Sequence, residues 1–353
     1  MISREEYLKI PLEERFIKLS PEENERANRL FDELLTVDMH THIFGSVEFY
    51  YNYDLIRQSG IKCCFEAVPS VTEDFEESMA LLGRYKSLVA HEPGLVSATR
   101  VDEVRAAAEA GKQAVMYQLE PQTIGRKPER LEIAYGFGVR MMLLTFNFKN
   151  YLGDGCGETT DGGLSYLGFE VVERMNELGM LIDLSHCGIQ TSLDAIKTSK
   201  DPVAINHTGA QALYPQCKRL KPDNVLKAVA DNGGVVGVSA VPNQLSPNED
   251  QGIEDMLNHI DYLVKLISAD HVAIGLDNHF QDQAARHRRQ TKARTVAFQR
   301  LGIELVANFM YGIESPLEWR NIVRGLVARG YSDDQIGKIV GANALRVMEQ
   351  VLK

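Results

Sequence analysis

Five cysteines in 353 residues, none in a Cys-x-x-Cys pair, are too few to staple a fold and wrongly spaced for a cysteine zinc site. They are Cys63, Cys64, Cys156, Cys187 and Cys217. No stretch approaches the roughly 18 apolar residues of a membrane span. The amino-terminal text MISREEYLKIPLEERF has neither the apolar core nor the small-residue cleavage site of a secretory leader. Cationic side chains are in deficit, 38 Lys and Arg against 49 Asp and Glu, for a net charge of -11. That argues against a nucleic-acid partner, because phosphate binding rests on concentrated positive charge. Linkers rich in Pro, Gly and Ser, repeats and low-complexity tracts are missing as well. The absences lead to four expectations: one domain over 1–353, a small-molecule substrate, no membrane or nucleic acid, and a cytoplasmic address.

What is present is alternation. Apolar, β-branched runs bounded by turn residues occur at 35–44, 61–69, 114–120, 139–146, 180–186, 202–207, 234–241 and 271–277. Segments with helical pattern separate them, among them 102–110, 166–178 and 223–231. Strand then helix, eight times over, predicts parallel strands with crossover helices, and so an α/β fold of the (β/α)8 TIM-barrel type. Before the first strand, 1–34 reads as a helical extension, with Ser20-Pro21-Glu22-Glu23 as both a capping box and a proline at the first helical position. After the eighth, 284–353 reads as helices packed on the barrel. The glycine-rich segment 153–163 lacks the Lys-Ser/Thr ending of a phosphate loop and is expected to form a mobile lid.

Metal-capable residues fall at the carboxyl ends of these runs, the catalytic face of such a barrel. His40 and His42 end the first, and a period of two puts both side chains on one side of the strand. Glu120 ends the third run, His186 the fifth, His207 the sixth and Asp277 the eighth. Neutral imidazole and carboxylate suit zinc and similar divalent ions. A carboxylate can bridge two such ions, and paired ions acidify a shared water and polarise the carbonyl it attacks. Asp277 is then placed to take the proton and pass it to the leaving nitrogen. Singly, each residue has a plain structural reading; their joint placement is what points to a metal centre. His91, His259, His271 and His287 read as structural or solvated, His279 as a candidate for the site mouth, and 286–289 (Arg-His-Arg-Arg) as a solvated face. Tyr50, Tyr51 and Tyr53 read as helix packing.

The order of these residues resembles the amidohydrolase superfamily and, within it, the renal or membrane dipeptidase family of metallopeptidases. The resemblance is carried by 171–176 running into Gly179-Met180-Leu181-Ile182-Asp183-Leu184-Ser185-His186, then 202–207, Arg219 with Pro222-Asp223, Asn232-Gly233-Gly234, His259-Ile260-Asp261, 270–277 and 341–347. It extends over about 36–351. It implies a binuclear zinc site, with Mn2+ or Fe2+ as alternative ions, Glu120 as bridge, His186 and His207 on one ion and the first-strand pair on the other. It implies Arg219 as an arginine that holds the substrate, cleavage of a dipeptide with tolerance of a D residue at its carboxyl side, and a homodimer by analogy. Two departures stand out. The family pattern His-x-Asp is here His40-Thr41-His42, a neutral imidazole in place of a carboxylate, which weakens the hold on that ion or changes its preferred metal. The family Thr-His-Asn is here Thr145-Phe146-Asn147, and Phe146 cannot donate a hydrogen bond to substrate. Phe146, Asn147, His279 and Arg219 are therefore the candidate substrate contacts. Dipeptidase-like hydrolysis leads, another amidase, deacylase or lactonase acting on N-acyl amino acids or lactones comes second, and a catalytically silent binding barrel third.

Overall fold

A computed structural model describes residues 3–44, 53–68, 75–279, 292–307 and 309–353. Among these residues, ten strands form one parallel sheet: β1 (Val37–His42), β2 (Cys63–Val68), β3 (Leu95–Ser97), β4 (Gln113–Leu119), β5 (Val139–Leu143), β6 (Leu181–Asp183), β7 (Ala204–Thr208), β8 (Val235–Val238), β9 (Val272–Ile274) and β10 (Asn278–His279). Their spatial order is β10-β1-β2-β4-β5-β6-β7-β8-β9. Only three residues separate β9 from β10, so the two are halves of one stave, and pairing of β10 with β1 closes an eight-stave barrel. Each apolar run of the sequence overlaps one stave, the eighth through β9 alone, since β10 lies just past 271–277. The addition is β3, which lies against the lower end of β4 while β5 joins its upper end at Tyr117.

Helices ring the barrel: α1 (Arg4–Lys9), α2 (Pro21–Glu33), α3 (Tyr53–Ser59), α4 (Phe75–His91), α5 (Val101–Glu109), α6 (Arg130–Gly136), α7 (Tyr166–Leu178), α8 (Ile189–Thr198), α9 (Asp223–Asp231), α10 (Ile253–Ile267), α11 (Lys292–Arg300), α12 (Arg320–Ala328), α13 (Asp333–Gly337) and α14 (Asn343–Val351). Local chemistry sets their ends. Ser20 caps α2 with a reciprocal bond to Glu23 and Pro21 in the first turn, and Gly179 ends α7 with a left-handed φ of 75°. No described helix is long and apolar enough to cross a membrane.

The barrel interior is apolar toward the amino ends of the staves. Val37, Cys63, Ala114, Leu181, Ala204, Val235 and Ala273 form one cluster with Leu345, Val347 and Met348 of α14, which plugs that mouth. At roughly 25 cal/mol per Å² of apolar surface, such burial supplies the main stabilising term. The amino-terminal segment is tied to the carboxyl-terminal one: Tyr7 Oη donates to Glu318 at 2.5 Å, and Arg324 donates to the Ile17 carbonyl at 2.7 Å. All five cysteines are unpaired.

The glycine-rich segment 153–163 differs from the expected lid. Asp154 accepts from the Gly162 N–H at 2.7 Å, Asp161 accepts from Gly163 N–H at 3.1 Å and Gln190 N–H at 2.6 Å, and Cys156 N–H donates to the His186 carbonyl at 2.9 Å. Asp154 thus ties the loop to itself, Asp161 ties it to the start of α8, and the Cys156 N–H ties it to the segment just beyond β6. Glycine serves close approach here, since a Cβ on Gly155 would collide with the backbone of Phe146 and Asn147.

Candidate metal centre

At the carboxyl end of β1, His40 and His42 flank Thr41, which is paired with Asn278 of β10. Between β9 and β10, Asp277 takes a φ of 57°, a left-handed conformation that aspartate tolerates better than most residues. Its N–H donates to the His40 carbonyl at 2.9 Å. That turn aims its carboxylate at the first strand, with Oδ1 3.1 Å from His42 Nε2 and 3.8 Å from His40 Nε2. Ligand atoms of His40, His42 and Asp277 lie within 4.8 Å of one another, close enough to hold one metal ion.

His186 and His207 complete the other side. His207 lies where β7 shifts register between Ile205 and Thr208, and the inward bulge needs room. Gly237 and Gly275 provide it, because a Cβ on either would collide with the Asn206 carbonyl. His186 Nδ1 donates to Asn147 Oδ1 at 2.7 Å, and His207 Nδ1 donates to Asn206 Oδ1. Each imidazole therefore presents a bare Nε2, and the two Nε2 atoms lie 3.0 Å apart. Two lone pairs at that distance repel unless they share a cation. Burial, then the Arg219 charge, holds the His186 pKa well below its ordinary range, and burial, then His40, does the same for His207. A proton is thus a poor candidate for the shared cation at neutral pH, whereas a zinc-like ion about 2.0–2.1 Å from each nitrogen fits. The His40 and His207 rings lie 3.8 Å apart between centroids, so the two groups of ligands adjoin.

Of the six residues predicted as ligands, five meet in this way. Glu120 stands buried directly beyond β4 but is not a member of the His40–His42–Asp277 group. Phe146 stacks on His186, with ring centroids 4.2 Å apart and planes 22° from parallel. Asn147 turns its oxygen to His186 rather than to open space. Arg219 is 1% exposed. It donates from Nη1 to the Ser185 carbonyl at 2.5 Å and from Nη2 to the His207 carbonyl at 2.8 Å, so it pins the two strand ends that carry the histidines. His279 is paired in register with His42. The segment 286–289, Tyr50 and Tyr51 lie outside the described residues. His259, His91 and His271 bond to backbone groups away from the centre.

Sequence reasoning missed Gln118, Asn206, Asp183, Ser185 and Lys221, all buried. Asp183 accepts from the N–H groups of Ser185 and Asn206 at 3.0 Å each, and Lys221 Nζ donates to the Cys187 carbonyl at 2.5 Å. A signal was there: Gln118, Asp183 and Asn206 interrupt apolar strand text, and a polar side chain inside a barrel stave must find partners. Loops leaving β4 and β5 line an open cleft of about 530 Å³, formed by Pro121, Gly125, Lys149, Asn150, Tyr151 and Leu152.

Several known proteins resemble the chain as a whole. The chain is 27% identical over 258 residues to dipeptidase tcpJ of Claviceps purpurea (strain 20.1), covering 72% of this chain and 55% of that one. It is 29% identical over 230 residues to dipeptidase verJ of Clonostachys rogersoniana, covering 65% and 52%. The chain thus spans about half the length of the curated relatives it matches. Among solved structures, an amidohydrolase from Pseudomonas aeruginosa superposes with a TM-score of 0.79 at 26% identity, covering 92% of this chain and 99% of that one. A metallopeptidase from Rhodobacter sphaeroides, liganded with a phosphinate mimic of the dipeptide L-Ala-D-Ala, shares the fold with a TM-score of 0.74 at 18% identity, covering 90% and 99%. The family model for membrane dipeptidase, peptidase family M19, matches residues 26–288, and the chain belongs to that family.

Proposed function

We propose that this chain is a divalent-metal-dependent hydrolase of the dipeptidase type, cleaving the amide of a dipeptide or a similarly small carboxylate-bearing molecule. The observation that carries the reading is the convergence of His186 Nε2 and His207 Nε2, 3.0 Å apart, beside the His40, His42 and Asp277 group. We assign His186 and His207 to one ion, His40, His42 and Asp277 to a second, and Glu120 to the space between, with zinc as first choice and manganese or iron as alternatives. When bound, the ions supply Lewis acidity and a water acidic enough to attack near neutral pH.

The chain's own residues do the rest. Asp277 Oδ1 takes the proton and delivers it to the leaving nitrogen. Phe146, braced on His186, forms an apolar wall that excludes water, and the 530 Å³ cleft receives the body of the substrate. Arg219 acts through the strand ends it pins, and His279 belongs to the rim. Five free cysteines suit a reducing compartment, and the cytoplasm is the address we assign. A homodimer is the assembly we assign by analogy, read out by molecular mass in solution.

A second reading, an N-acyl amino acid amidase, deacylase or lactonase with the same ions, is favoured by Phe146 and Arg219: one has no hydrogen bond to donate, and the other spends its terminal nitrogens on carbonyls. A panel of dipeptides of varied stereochemistry, N-acyl amino acids and lactones separates the two. Turnover of dipeptides that is lost with a chelator and restored by zinc or manganese supports the leading reading. Turnover confined to N-acyl amino acids or lactones supports the second, and none on any member contradicts both.

A further inference from the structure

Two side-chain amides cross the upper barrel interior and join the two halves of the metal centre. Asn206 Nδ2 donates to the Met39 carbonyl at 3.1 Å and to Gln118 Oε1 at 2.6 Å, while Asn206 Oδ1 accepts from His207 Nδ1. A backbone carbonyl can only accept, so Met39 fixes which end of the Asn206 amide is nitrogen. The rest follows by polarity. Asn206 must present an acceptor to His207 and a donor to Gln118. Gln118, its oxygen engaged, can offer only N–H onward, and it donates from Nε2 to His40 Nδ1 at 2.7 Å. Asn206 Nδ2 faces the same nitrogen at 3.3 Å.

The two adjoining rings therefore carry their hydrogens on opposite nitrogens. His207 has Nδ1–H and a bare Nε2. His40, accepting at Nδ1, carries its hydrogen on Nε2, the atom 3.8 Å from Asp277 Oδ1. A bare imidazole nitrogen is a metal ligand and a hydrogen-bearing one is not. For His40 to present a bare Nε2, the Gln118 amide must turn over, which breaks its bond to Asn206.

We propose that the chain loads its two metal positions unequally, and that the Asn206–Gln118 amide relay sets the difference. The position at His186 and His207 is ready to receive an ion, whereas the one at His40, His42 and Asp277 closes only against the relay. Asn206 and Gln118 are thus positioning residues for metal loading. The inference rests on the metal-dependent reading above.

Two measurements test it. Metal-free protein is titrated with zinc by calorimetry and with cobalt by visible absorption, alongside Gln118→Glu, whose two oxygens can accept from both Asn206 and His40. The wild type is expected to bind two ions in steps at least about tenfold apart, and Gln118→Glu to tighten the weaker step by about tenfold with the tighter one unchanged. In histidine-selective nitrogen-15 spectra of the metal-free wild type, His207 should carry its hydrogen on Nδ1 and His40 on Nε2, a readout that does not depend on the variant folding. Two equal binding steps, an unchanged weaker step in a folded Gln118→Glu, or His40 with its hydrogen on Nδ1 overturns the relay alone. A wild type that binds no divalent ion overturns the metal-dependent reading itself.

Discussion

The two ends of the barrel interior obey opposite rules. Toward the amino ends, Val37, Cys63, Ala114, Leu181, Ala204, Val235 and Ala273 pack against α14, and the ionisable member, Cys63, has its thiol pushed up to about 12 by burial. Toward the carboxyl ends, the same closed space holds Gln118, Asp183, Asn206, His40, His186 and His207, just as buried but joined by side-chain hydrogen bonds. The lower end is specified by volume and hydrophobicity, so it tolerates swaps of similar size. The upper end is specified by polarity, where exchanging an oxygen for an N–H matters more than a methylene.

The largest effect should come from the upper end. His207→Ala removes a bare Nε2 and is expected to lower kcat/KM by at least about 1000-fold, roughly 4 kcal/mol, with the thermal midpoint of the metal-free protein shifted by only a few degrees. Steady-state kinetics beside calorimetry checks it, and large unfolding in this variant would break the comparison. The mirror experiment is Leu181→Ala in the lower end. A cavity there should cost about 2–5 kcal/mol of stability by denaturant unfolding, while kcat/KM per folded molecule stays within about twofold. A smaller effect is expected for Asn147→Ala, which leaves His186 unoriented. Zinc affinity by chelator competition should fall about 10- to 100-fold with stability little changed.

The smallest effect concerns a polar group of the upper end that faces away from the interior. Glu66 of β2 is fully buried, accepts from the N–H groups of Ile43 at 2.5 Å and Phe44 at 3.1 Å, and has its pKa raised to about 8 by burial. The unfolded chain releases this proton near its ordinary value of 4.5, so the native state holds more protons between the two values. Stability contributed by Glu66 is therefore full below about 4.5 and is lost as pH rises toward 8. Glu66→Gln, which cannot ionise, should show a flatter decline of thermal midpoint between pH 5 and 8, measured at fixed ionic strength. An identical decline would show that Glu66 is not buried as described.

The staves were legible because each is an apolar run between turn residues, and Ser20-Pro21-Glu22-Glu23 announced the start of α2 by itself. His40-Thr41-His42, Ser185-His186, Asn206-His207 and Asp277 stood out because charge-capable residues end those runs. What sequence text could not show was tertiary. β3 is three residues long and gains its identity only from pairing with Gln113, Ala114 and Val115 of β4. The segment 153–163 looked mobile because glycine implies freedom, yet Asp154 and Asp161 convert those glycines into close contacts. The two carbonyl acceptors of Arg219 come from strand ends distant in sequence, which no local pattern announces. The polarity of the Asn206–Gln118 pair depends on the Met39 carbonyl, which no local pattern reveals.

Anomalous diffraction at the zinc edge from crystals grown with zinc tests the central claim most directly. A peak is expected within bonding distance of both His186 Nε2 and His207 Nε2, with a weaker one beside His40, His42 and Asp277. Zinc bound elsewhere on the chain, with no density between His186 and His207, would contradict it.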